Sequence, residues 1–113
     1  MAGGVRGDKV ETKQITLSTL ETTGYMTLES DYKSVYRLFA IKPVSGCTVT
    51  AEVYGSLLDT TGWSVNSTLA ASTVSGTVYT GTVNGSILPY WRITLQATSD
   101  AVVDCFYYGL SNK

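Results

Sequence analysis

A period of two constrains this chain more than any other feature. Apolar side chains return at every second position in short runs along its length, and no run reads convincingly as a helix. The densest example is residues 90–97, where Trp91, Ile93, Leu95 and Ala97 alternate with Tyr90, Arg92, Thr94 and Gln96. Thr98, Ser99 and Asp100 interrupt it, and residues 101–109 follow at once, rich in β-branched and aromatic side chains. This pair of runs predicts a hairpin with a short loop, against which the other strands are laid. Arg92 and Asp104 would then project from one face of it, either paired or separately solvated.

Read in order, the chain starts with a glycine-rich, charged stretch carrying Arg6, Asp8, Lys9 and Glu11. Residues 1–12 are expected to be a flexible arm, frayed or ordered only against a neighbouring subunit, with a single β-sandwich domain over residues 13–113. Ile15 and Leu17 mark a first strand, and Met26 and Leu28 face inward from a short second one. In residues 33–42, Val35, Arg37, Phe39 and Ile41 oppose Tyr36, Leu38 and Ala40. Both faces of that run are fairly apolar, which suits a central strand or one covered by a partner. Residues 43–46 read as a turn. Cys47, Val49, Ala51 and Val53 then alternate with Thr48, Thr50, Glu52 and Tyr54, the former set toward the core. The pattern weakens over residues 56–75, with a brief strand piece at 63–65 and an irregular link at 66–72. Residues 76–83 form a further strand, and Asn84-Gly85 signals a tight turn. The expected fold is therefore all-β, an antiparallel two-sheet β-sandwich of jelly-roll or immunoglobulin-like topology with eight or nine short strands.

Composition narrows the function. With 113 residues the chain forms one domain, and a net charge of −1 with scattered Lys and Arg gives no electrostatic footprint for nucleic acid. No apolar run reaches the roughly 18 to 20 residues of a membrane helix, and residues 1–8 lack the apolar core of a signal peptide, so synthesis in a cytoplasm is expected. In that compartment Cys47 and Cys105 are expected as free thiols in preference to a disulfide. Histidine is absent, which removes the commonest general base, and two cysteines without histidine provide no zinc site of the usual kind. The acids are dispersed and form no pair across a cleft. No enzymatic activity, cofactor or metal is expected.

Eight tyrosines and two tryptophans exceed what a small core holds. Tyrosine on an outer strand face serves protein interfaces, because the ring contributes area while the hydroxyl stays polar. Arg6, Lys9, Tyr25, Tyr36, Tyr54, Tyr79, Tyr107 and Tyr108 are the interface candidates. A sugar-binding platform is the alternative, with Trp63, Tyr54 or Tyr79 as the stacking rings and Asp59, Asn66 or Asn84 holding hydroxyls.

The glycine-rich start, the Ser/Thr-rich strands and the closing run Pro89-Tyr90-Trp91-Arg92-Ile93-Thr94-Leu95 with Ala101-Val102-Val103-Asp104 resemble the small β-sandwich structural proteins of tailed-bacteriophage virions, decoration or cement proteins of the capsid above all, with collar, head-fibre and tail components sharing the style. That resemblance implies a homo-oligomer, a trimer or other ring, seated on the capsid exterior and holding neighbouring major capsid protein subunits together. It implies no catalytic residue, no nucleic acid and no membrane.

Overall fold

The computed structural model describes residues 5–28, 36–57, 62–84 and 88–112, with the backbone alone at 5–8, 64–66, 84 and 111–112. Eight strands follow one another: β1 (Val5–Leu17), β2 (Thr23–Thr27), β3 (Tyr36–Gly46), β4 (Val49–Ser56), β5 (Ser64–Ala70), β6 (Tyr79–Asn84), β7 (Tyr90–Ala97) and β8 (Ala101–Asn112). There is no helix among the described residues. The strands form two antiparallel four-stranded sheets, a front sheet in the order β1-β8-β3-β6 and a back sheet in the order β2-β7-β4-β5. Only one connection, β4 to β5, joins neighbours within a sheet, and every other one crosses between sheets. This is the jelly-roll order, which decides between the two topologies that the sequence left open.

The alternation in each strand becomes the core. Phe39, Ile41, Val103, Cys105 and Tyr107 point inward from the front sheet, and Val49, Ala51, Val53, Trp91, Ile93 and Leu95 from the back sheet. Phe39 and Tyr107 are register partners across β3 and β8, with ring centroids 5.1 Å apart at 48°. Trp91 reaches over from the back sheet to within 5.9 Å of Phe39, and its Nε1 donates to the Leu88 carbonyl at 2.7 Å. Burying each such ring contributes about 2–3 kcal/mol, and tilted aromatic pairs add about 0.5–1.5 kcal/mol. Arg37, also inward, lies with its guanidinium carbon 5.2 Å from the Trp91 ring centroid.

The structure corrects several sequence expectations. The strands of the predicted hairpin do not pair: β7 lies in the back sheet and β8 in the front one, so residues 98–100 form an arch over the core edge. Trp91, Ile93 and Leu95 therefore face Val103, Cys105 and Tyr107 across the core, with Arg92 and Asp104 on opposite outer surfaces. Asp104 instead accepts a hydrogen bond from Gln14 Nε2 at 2.8 Å. Residues 5–12, expected within the arm, are the first half of β1 and pair with β8 from Val5↔Asn112 to Thr12↔Phe106. Residues 43–46, read as a turn, extend β3 through a bulge between Pro43 and Ser45. The chain turns only at Gly46 (φ 100°), and Cys47 N–H then donates to the Asp100 carbonyl at 2.9 Å, tying this end of β3 to the arch. Finally, the irregular link at 66–72 is mostly β5, whose alternation is broken by register shifts opposite Ala51/Glu52 and Val53/Tyr54.

Both thiols are free, Cys105 in the core and Cys47 half-buried at its rim, where a full core position was expected. Residues 74–77 form a turn closed by Thr77 N–H to the Val74 carbonyl, and β6 starts at Tyr79 and not at residue 76.

Candidate functional site: two outer sheet faces

The crossing of the chain between sheets gives the molecule two broad outer faces built from residues distant in sequence. On the front sheet, cross-strand register aligns Val10, Tyr108, Leu38 and Thr82 in one row and Thr12, Phe106, Ala40 and Thr80 in the next. Tyr36 and Leu110 form a third row, and Gln14, Asp104 and Lys42 a fourth. Val10, Tyr36, Leu38, Phe106 and Tyr108 are all exposed, Val10 by 61%. The charges in these rows are Asp104 and Lys42, direct register partners of opposite sign. An antiparallel sheet facing water usually carries polar residues on that side. Here the middle of the sheet is apolar, edged by threonines, which is the composition of a contact surface.

The back sheet presents a different face. Tyr25, Thr94 and Glu52 are aligned across β2, β7 and β4, and the next row holds Thr27, Arg92 and Tyr54. The Arg92 guanidinium carbon lies 4.4 Å from the Tyr25 ring centroid, 4.5 Å from that of Trp63 and 5.5 Å from that of Tyr54. Trp63 comes from the residue just before β5, so rings from three separate segments converge on one cation. Each contact of this kind contributes about 0.5–1 kcal/mol at an exposed position. Arg92 Nε and Thr94 Oγ1 are shut off from solvent without a hydrogen-bond partner. The Tyr54 hydroxyl donates to Glu52 Oε1 at 3.2 Å, and this bond, with the carboxylate charge behind it, holds the phenol above its ordinary value.

The sequence-derived candidates divide between these surfaces. Tyr36 and Tyr108 belong to the front face, and Tyr25, Tyr54 and Trp63 to the back. Tyr107 is a correction: it is 0% exposed in the core, because β8 points its odd-numbered residues inward. Tyr79 is also no platform ring, since it packs against the core and its hydroxyl accepts the Val74 N–H at 2.8 Å. Lys9 pairs with Glu11 at 3.7 Å on the edge strand β1. Asp59 and the side chains of Arg6, Asn66 and Asn84 lie outside the described residues. Sequence reasoning missed Val10, Leu38 and Phe106 as surface groups. Leu38 alone had a signal, the two-sided apolar pattern of residues 33–42. It also missed Arg92 as the centre of the ring cluster, which no local pattern encodes.

No protein-family model matches this sequence, and neither does any curated protein. Solved structures do share its fold. The pilus of Bacillus endospore appendages matches at a TM-score of 0.60 and 13% identity, covering 98% of this chain and 91% of that one. The pre-peptidase C-terminal domain of the Bacillus anthracis collagenase matches at 0.57 and 12%, covering 89% and 88%. The enzymatically active domain of a tailspike protein of bacteriophage CBA120 matches at 0.53 and 9%, over 96% of this chain but 19% of that one. At such identities the likeness is one of fold.

Proposed function

We propose that this protein is a non-enzymatic structural component of a virion, a capsid decoration protein that docks onto major capsid subunits through the outer face of its front sheet. The observation that carries the reading is the row structure of that face, where Leu38, Phe106 and Tyr108 meet water in the middle of a sheet and Val10 continues their row onto the edge strand. Large rings and aliphatic groups at the centre of a patch with few charges suit a protein–protein contact. A pilus of Bacillus endospores and a phage tailspike use the same sandwich, so its service in assemblies has precedent. The absence of histidine from the sequence and the dispersal of its acids support a role without catalysis.

Co-sedimentation with undecorated phage shells tests this. Wild-type protein is expected to pellet with the shells, while a Leu38→Lys, Phe106→Lys variant with an unchanged melting temperature stays in the supernatant. The single change Tyr108→Ser should reduce occupancy if the double variant folds poorly. Equal occupancy for a folded variant and the wild type refutes the docking face. Light scattering on the free protein tests the accompanying expectation of a trimer.

A further inference from the structure

The back face supports a second activity that is independent of docking through the front. We infer that Arg92, with Tyr25, Tyr54 and Trp63 around it, is a binding site for a sugar that carries a carboxylate, a uronic or sialic acid residue of a surface glycan.

Arg92 has rings at 4.4, 4.5 and 5.5 Å, but no carboxylate or carbonyl among the described residues hydrogen-bonds it. Stacking engages the flat faces of a guanidinium and leaves its in-plane N–H groups for another acceptor. Nε is closed off from solvent, and the terminal nitrogens of this half-buried side chain are not shut away unpaired with it. Two terminal nitrogens in a fixed plane match the two oxygens of a carboxylate. The three rings packed around the guanidinium restrict its movement, which lowers the ordering cost of binding.

The surroundings narrow the ligand. Tyr25 is exposed and Trp63 half-buried, so both offer apolar ring surface beside the cation to the C–H side of a pyranose. Glu52 gives one oxygen to the Tyr54 hydroxyl and keeps acceptor capacity for sugar hydroxyls, and Thr27 sits next to Arg92 in its row. Arg92 is the one cation in these rows, which suits a single carboxylate and not a polyphosphate or a densely sulfated chain. β7 and β4, which carry Arg92 and Tyr54, are the inner strands of the sheet, so neither offers its own edge to a peptide main chain.

A glycan array carrying glucuronic, galacturonic and sialic acid termini beside their neutral counterparts is the first test, followed by calorimetry on the best acidic hit. At least a tenfold preference for the acid over its neutral counterpart is expected. Arg92→Lys, which keeps the charge but loses the fork, should weaken binding at least tenfold, and Trp63→Ala should abolish it, both with wild-type melting behaviour. Equal binding of acidic and neutral glycans, no acidic hit, or an Arg92→Lys variant that binds like wild type overturns the assignment. So does equal affinity for an Asp- or Glu-rich peptide, which would make the site a protein contact. Co-sedimentation of Arg92→Lys with shells should match wild type, which separates this site from the front face.

Discussion

Replacing Gly46 by alanine tests the arch that joins the two sheets. The residue has φ of 100°, and a Cβ built there would sit 2.2 Å from the Asp100 carbonyl oxygen and 2.4 Å from the Ala101 Cα. All the nearest atoms are backbone, so no side chain can rotate away. The unfavourable dihedral costs about 1–2 kcal/mol. Relief of the overlap requires the arch to move by about 1 Å, and that breaks the 2.9 Å bond from Cys47 N–H to the Asp100 carbonyl, for about 1 kcal/mol more. With the displaced packing of Ala101, itself buried, the total comes to about 3–5 kcal/mol, a large share of the usual stability of a domain. Gly76 is the internal control. Its φ of 88° is similar, but nothing lies within 4 Å of its virtual Cβ, so Gly76→Ala should cost only the dihedral term. At about 4–8 °C per kcal/mol, Gly46→Ala should melt at least about 12 °C below wild type by circular dichroism, and well below Gly76→Ala. Equal melting temperatures for the two variants would show that β3 and the arch do not pack as described.

Two further outcomes follow from the same architecture. A double-mutant cycle of Arg92→Ala and Asp104→Ala by urea unfolding should give a coupling within about 0.5 kcal/mol, since the groups lie on opposite outer faces, and a larger coupling would restore the hairpin. Burial, with the neighbouring Asp104 charge behind it, pushes the Cys105 thiol up to about 12, against 9.0 for an ordinary thiol. The unfolded chain therefore loses its thiol proton first as pH rises. The contribution of the neutral buried thiol is complete below pH 9 and is lost as pH climbs toward 12, so wild type should lose stability over that window faster than Cys105→Ser.

The strands were legible in the sequence and their partners were not. Met26 with Leu28, and Val49 with Ala51 and Val53, alternate because each strand buries one side, and that signal is local. Whether two consecutive strands pair edge to edge or face each other across the core leaves the same alternation, which is why residues 90–109 read as a hairpin. β5 was faint because its bulges break the period of two, and residues 5–12 because Gly7, Lys9 and Glu11 are the composition of an edge strand that is guarded against pairing. The ring cluster at Arg92 was illegible for a plainer reason: Tyr25, Tyr54 and Trp63 meet it only through the order β2-β7-β4-β5.

The pairing of the first strand with the last has a bearing on synthesis. Gln14 meets Asp104, a partner 90 positions later, so during translation the leading segment has nothing to zip onto until the whole sandwich has been extruded. Contacts of such long range fold slowly. The front sheet therefore stays open, without β8 and with β1 unsettled, until residues 101–112 have emerged from the ribosome, and its closure comes late in folding.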